Sequence, residues 1–116
     1  MTCNEKTIYR NKIGISFVSP SSSEYYRERI HLIIRRNGLH LDSKEFAHLR
    51  RLCLMAIERA KGCADCPIAR KHPCHMLETP FPQISLAFSY EELLEVSDLL
   101  AGTWFELELQ KILSGL

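Results

Sequence analysis

The chain has 116 residues, a formal net charge of +1 and five cysteines. Its hydrophobic fraction of 46% and charged fraction of 25% are those of a folded globular domain and exclude a disordered protein. The apolar runs are shorter than the roughly 18 residues that span a bilayer, and the first residues lack the pattern of a secretory signal. We therefore predict a single cytoplasmic domain over residues 1–116.

Charge is distributed unevenly along this chain. Residues 1–76 contain 14 basic and 7 acidic residues, whereas residues 77–116 contain 1 basic and 7 acidic residues. Such an asymmetry can indicate a charged partner. However, no run of like charges is long enough for a nucleic-acid-binding arm, so neutralisation of the two parts within the fold is the simpler interpretation.

Three runs before residue 42 have the composition of β-strands. Residues 7–18 are rich in β-branched and aromatic side chains and predict strand with a turn at Asn11-Lys12. Residues 29–36 and 39–41 predict two more strands. The intervening Asn37-Gly38 predicts a hairpin with a type I′ turn, because both central residues of that turn need positive φ.

Two helices are predicted from their first turns. Asp42 with Glu45, and Ser89 with Glu92, have the spacing of capping boxes. The first helix covers residues 43–61 and ends at Gly62. The second follows a strand at residues 83–88 and continues to about residue 113, with a kink or a break at Gly102.

These elements predict an α+β fold with two helices packed on one face of a small, mainly antiparallel sheet. The strand–helix units cover about residues 29–61 and 82–113, and a Cys/His loop at residues 62–78 joins them. The two units align at strand end, cap and core positions. Duplication of one unit would explain that alignment. So would chance, since any strand that leads directly into a capped helix has a similar pattern.

The chain resembles a family of short bacterial proteins of unknown function in the order of its elements. That order is an apolar strand, Asn37-Gly38, the Leu39-His40-Leu41 strand and the helix start Asp42-Ser43-Lys44-Glu45-Phe46. The resemblance covers about two-thirds of the chain and concerns the fold. Members of that family carry a Cys pair near the early strands, and residues 18–23 have none here. The family implies no activity for this chain.

The Cys/His loop is the segment most suited to chemistry. Cys63 and Cys66 are separated by two residues, so that both thiolates can turn toward one ion. Cys74 supplies a third sulfur atom and His75 a nitrogen atom, with His72 as an alternative fourth ligand. Sulfur and imidazole ligands suit zinc. The sequence therefore predicts a structural zinc site formed by Cys63, Cys66, Cys74 and His75.

Three other functions remain open at this stage. Cys63 and Cys66 could form a redox dithiol, although a redox pair normally follows a strand and opens a helix. An iron–sulfur cluster needs similar thiolates. A basic face is the basis of the nucleic-acid hypothesis, and it is formed by Arg27, Arg29, Arg35, Arg36, Arg50 and Arg51. Cys53 is expected in the core, and His31, His40 and His48 in solvent.

No catalytic constellation is recognisable, so the sequence favours a non-catalytic binding or assembly module. The second helix carries more apolar residues than one face can bury. The set comprises Leu93, Leu94, Val96, Leu99, Leu100, Ala101, Trp104, Phe105, Leu107 and Leu109. We therefore expect self-association through this helix as a homodimer, with nucleic acid an unlikely partner and no membrane involved.

Overall fold

The computed structural model describes residues 6–19, 29–63, 68 and 71–115. Within these ranges no helix has the length and apolarity needed to cross a membrane. In chain order the elements are β1 (Lys6–Arg10), β2 (Gly14–Val18), β3 (Ile30–Ile34), β4 (Asn37–Leu41), α1 (Ser43–Ala60), a 3₁₀ turn (Lys61–Cys63), β5 (His75–Glu78), β6 (Ser85–Phe88) and α2 (Tyr90–Ser114).

The strands form two antiparallel sheets. β1, β2, β3 and β4 lie in that order in a four-stranded sheet, and β5 pairs with β6 in a separate hairpin. Both helices pack against strands and against each other: α1 contacts β4 and β5, and α2 contacts β1, β2 and β6. The predicted α+β fold with two helices on one sheet face is confirmed.

The core lies between the helices and one face of the four-stranded sheet. Successive side chains of a strand point to opposite faces, and Leu32, Ile34 and Leu41 are fully buried on the helix side. Phe46 and Leu49 of α1 join the same cluster, as do Leu93, Val96, Leu99 and Leu100 of α2. The packing therefore follows the strand and helix periodicities of the sequence.

The β3–β4 hairpin is confirmed, but the predicted position of its turn is wrong. Ile34 pairs with Asn37, so the loop residues are Arg35 and Arg36, and Asn37-Gly38 lies within β4. Arg35 has φ 57°, whereas no described glycine has positive φ. The Arg35 side chain forms an ion pair with Glu92 and lies over the ring of Phe88. These contacts stabilise a turn that the local Asn-Gly preference does not predict.

Both helix starts are confirmed as capping boxes. The Asp42 carboxylate accepts from the Glu45 N–H at 2.8 Å, and Glu45 accepts from the Asp42 N–H at 2.9 Å. At α2, the Ser89 hydroxyl and Glu92 form the same reciprocal pair. The end of α1 differs slightly from expectation, since its C-cap is Lys61 in right-handed helical conformation and a 3₁₀ turn follows.

Helix α2 is continuous from Tyr90 to Ser114, and the predicted interruption at Gly102 is absent. A Cβ atom at Gly102 would lie 2.5 Å from Cζ of Tyr9, so the glycine provides space for that ring. The Thr103 hydroxyl donates to the carbonyl of Leu99 and lies 2.6 Å from the Ser16 hydroxyl. Gly102-Thr103 is therefore a contact with the sheet and not a helix end.

The second hairpin shows why the two strand–helix units are not equivalent. β5 occupies the end of the predicted loop 62–78, and β6 begins at Ser85, two residues later than expected. Between them the Thr79 hydroxyl donates to the Ile84 carbonyl at 2.8 Å and holds a tight turn. Because β4 and β6 belong to different sheets, the aligned units have different neighbours.

Candidate functional site

The predicted zinc ligands are only partly within the described residues. Cys66 and the side chain of Cys63 lie outside them, so the four-ligand cluster stays a prediction. Cys74 is a free, exposed cysteine, and its N–H donates to the carbonyl of His72. His75 opens β5. In the ranges that the structure describes, no group of three metal-ligating side chains is present.

His75 has the property that a metal ligand needs. Its Nε2 atom is buried and has no hydrogen-bond partner among the described residues. Leaving a buried polar atom unpaired costs about 1–3 kcal/mol, and a neutral imidazole nitrogen is the commonest protein ligand of metals. The donor type and its unpaired state therefore fit a zinc ion.

The fold also brings the two ends of the Cys/His loop together. The loop leaves α1 after Ala60, which is buried, and returns in β5, where Leu77 is buried. α1 and β5 pack directly against each other. Since the first cysteine follows α1 and the last ligand begins β5, a short loop between them can close around one ion.

Cys53 lies in the core, as predicted. It is buried on the inner face of α1, and its sulfur lies 3.8 Å from the carbonyl of Leu93. Burial raises the pKa of the Cys53 thiol to about 12. This thiol therefore remains protonated at neutral pH and is neither a metal ligand nor a nucleophile.

A histidine pair lies on the sheet face opposite the helices. The expectation of solvent exposure is confirmed for His40 and His48 and is wrong for His31. His31 is only 3% exposed, and its Nδ1 lies 2.6 Å from Nδ1 of His40. The ring of Phe17 stacks on His31 with centroids 5.2 Å apart. At this distance one Nδ1 must carry the proton and the other must accept it.

The misplaced turn explains why sequence reasoning missed this pair. The observed register places His31 opposite His40, whereas a turn at Asn37-Gly38 would place His31 opposite Lys44. Alternation along the strands puts both histidines on one face in either register. The two-residue loop at Arg35-Arg36 sets the register in which His31 and His40 are in contact.

The predicted basic face is divided between structural contacts. Arg29 forms an ion pair with Glu45 at 3.1 Å, and Arg35 forms one with Glu92 and donates to the carbonyl of Ala87. The guanidinium of Arg50 lies over the Trp104 ring. Arg27 lies outside the described residues. Arg29, Arg35 and Arg50 thus contact different elements of the fold, and the basic face stays a prediction.

The outer face of α2 is apolar over most of its length. We call the outer stripe the set of its exposed large apolar residues, which are Leu94, Phe105, Leu109, Ile112 and Leu113. Phe105 and Ile112 are 63% and 64% exposed. The two lie seven residues apart, which is two helical turns, and Leu94 lies on the same line. Three of its residues, Leu94, Phe105 and Ile112, face away from the core side, which carries Val96, Leu99 and Thr103. Leu113 lies about 40° from the direction of Leu99 around the helix axis.

A groove lies beside the outer stripe, between the two helices. Its volume is about 110 Å³, and its lining residues are Arg50, Cys53 and Leu54 from α1 and Ser97, Leu100 and Ala101 from α2. Ala101 and Leu54 are exposed at its mouth. The outer surface of the helix layer thus combines protruding apolar side chains with a recess.

Comparisons with known proteins give no relative for this chain. No protein-family model, no curated protein and no solved structure matches it. The candidate functions therefore depend on the residues of this chain alone.

Proposed function

We propose that this protein is a non-catalytic assembly module that associates with a second copy of itself through the outer stripe of α2. The observation that carries the proposal is the exposure of five large apolar side chains on one helix, whose inner face is buried from Leu93 to Thr103. Contiguous apolar surface of this kind marks interaction sites in soluble proteins. A second copy can cover it, because a homodimer buries the same patch on both subunits.

The test is the oligomeric state of designed variants in sedimentation equilibrium. We expect the parent to dimerise at tens of micromolar, and Phe105→Glu with Ile112→Glu to weaken the dimer at least 100-fold. Hot-spot side chains contribute about 2 kcal/mol or more each, and about 1.4 kcal/mol corresponds to a tenfold change in Kd. A parent protein that is still monomeric at about 100 µM, above the expected dissociation constant, would contradict the proposal.

The β5–β6 hairpin offers a matched control. Met76 and Ile84 are also exposed apolar residues, but they lie in the β5–β6 hairpin and not on α2. Met76→Glu with Ile84→Glu changes the net charge by the same amount as the test variant. This control should dimerise like the parent, and equal weakening by both variants would show a non-specific effect of charge.

The second part of the proposal is that a zinc ion stabilises the Cys/His loop through Cys63, Cys66, Cys74 and His75. The unpaired buried Nε2 of His75 and the packing of α1 against β5 support it. When bound, zinc would supply structural cross-linking of the loop. The protein contributes the ligand set, and His75 contributes a nitrogen atom already held in place by strand β5.

Elemental analysis of protein purified without chelator tests the zinc site. We expect about one zinc per chain in the parent and loss of most of it in Cys66→Ser, while Cys3→Ser keeps it. Removing the metal should increase hydrogen exchange in the loop more than in the four-stranded sheet. Unchanged metal content and melting temperature in Cys66→Ser would contradict the site. A zinc-free parent with a reversible Cys63–Cys66 disulfide would favour the redox alternative.

A further inference from the structure

We infer that the two copies associate with their helix layers face to face, so that Phe105 of each enters the groove between α1 and α2 of the other. The inference rests on the proposed function and identifies the surface that receives the outer stripe. Phe105 protrudes from α2, and the groove opens at Ala101 on the same surface. A protruding ring and a recess on one face are self-complementary under a twofold axis.

The dimensions of the two partners match. An enclosed cavity of roughly 150 Å³ accommodates benzene, so the open groove of about 110 Å³ can receive most of one phenyl ring. Its lining side chains are apolar at Leu54, Leu100 and Ala101 and polar at Arg50 and Ser97. The small Ala101 side chain keeps the recess open where a larger residue would close it.

The net charges of α1 and α2 favour one of two possible orientations of the partner. α2 contains six acidic residues and one basic residue, whereas α1 contains four basic and two acidic residues. A twofold axis running across the helices would place α2 against α2, with like charges facing each other. An axis running along the helices places α2 opposite α1 of the partner, where opposite charges attract. The second arrangement is the one that we infer.

Two groove variants provide a direct test. Ala101→Trp fills the groove and leaves Phe105 intact, whereas Phe105→Ala removes the ring and leaves the groove open. Each should weaken its own homodimer about tenfold or more, because neither homodimer keeps a ring in a groove. A mixture of the two should associate more tightly than either alone, because the heterodimer keeps one ring-in-groove contact.

Charge reversal tests the orientation. Lys44 is exposed in the first turn of α1, and Glu108 lies near the end of α2. Because α1 and α2 run antiparallel with Phe46 stacked on Trp104, an axis along the helices places these two residues at a similar height. Lys44→Glu and Glu108→Arg should each weaken the dimer a few-fold, as expected for rim charges, and the double variant should recover the parent affinity. If Glu108→Arg alone tightens the dimer, α2 faces α2 and the inferred orientation is wrong.

These outcomes separate this inference from the proposed function. A monomeric parent would overturn both. A dimer that Phe105→Glu with Ile112→Glu disrupts, but that Ala101→Trp leaves intact, would retain the outer stripe as the interface and overturn only its seating in the groove. Circular dichroism of each variant checks that the helices remain folded. We expect that they do, because Ala101, Phe105 and Ile112 are all exposed.

Discussion

The two helices begin in the same way and use their surfaces differently. α1 and α2 both start with a reciprocal capping box, and both bury one face against the same core. The rest of the α1 surface carries charged residues and two exposed large apolar side chains, Leu54 and Met55, whereas α2 exposes five large apolar side chains. The comparison shows that capping and core burial account for most of α1, while the outer stripe of α2 needs a further explanation.

The largest expected effect separates the two faces of α2 from each other. Leu99→Ala, on the fully buried face, should lower the free energy of unfolding by about 3–5 kcal/mol, since it removes a packed side chain and leaves a cavity. Ile112→Ala, on the outer stripe, should change it by less than about 0.5 kcal/mol in the monomer. Urea denaturation at low protein concentration measures both. A comparable loss in Ile112→Ala would mean that the outer stripe is covered within one chain.

A smaller effect concerns the buried hydroxyl pair that attaches α2 to the sheet. Thr103→Val keeps the shape of the side chain but removes the partner of Ser16, whose hydroxyl lies 2.6 Å away in the core. We expect a loss of about 1 kcal/mol, because the Ser16 hydroxyl keeps a longer hydrogen bond, 3.3 Å, to the carbonyl of Tyr9. The double variant Ser16→Ala with Thr103→Val should recover much of this loss. Thermal melts of the four proteins form the double-mutant cycle.

Gly102→Ala tests whether the sheet contact overrides helix propensity. In an exposed helix this change stabilises by up to about 1 kcal/mol. Here the added methyl group would meet the Tyr9 ring, so we expect a net destabilisation of about 1 kcal/mol. In a Tyr9→Ala background the same change should become stabilising. A stabilising effect in the parent would show that the ring moves aside without cost.

The smallest effect lies at the start of α2. Burial raises the pKa of Glu92, but the Ser89 N–H and the Arg35 guanidinium outweigh it, and the pKa lies below its usual value. The carboxylate therefore contributes stability that is present above its unfolded pKa of about 4.3. This stability is lost as the pH falls through the lower folded pKa. Glu92→Gln should flatten the pH dependence of the melting temperature in that acidic range, and Arg35→Gln should flatten it in part. An unchanged profile in Glu92→Gln would contradict this assignment.

Local signals in the sequence predicted the starts of α1 and α2. Asp42 and Ser89 have side chains that can satisfy only nearby backbone groups, so their effect is independent of the rest of the fold. The strands at residues 7–18 and 30–41 followed in the same way from composition and alternation. The strand β5 was not predicted, because His75–Glu78 is short and acquires its partner only through the turn held by Thr79.

Long-range contacts account for the errors. Gly102 has the local signature of a helix end, and only the Tyr9 ring, 93 positions earlier in the chain, gives it another role. The β3–β4 turn depends on Arg35 reaching Glu92, which no local pattern contains. For the proposed metal site, spacing indicated the candidate ligands, and the fold added the unpaired nitrogen of His75. The ring-in-groove surface needed two helices side by side and had no signal in either one.

The Ser16–Thr103 pair has a consequence for how α2 is rotated about its own axis. A rotation of α2 by one residue would turn Leu94, Ala101 and Trp104 toward the core in place of Leu93, Leu100 and Thr103. Both sets are largely apolar, so hydrophobicity alone separates these two rotations only weakly. A single polar group in a core can make that choice, as a lone asparagine does in a coiled coil. The same rotation would separate the Thr103 hydroxyl from the Ser16 hydroxyl and break the hydrogen bond between them. One hydroxyl contact thus selects the rotation of the helix, and with it which side chains remain outside.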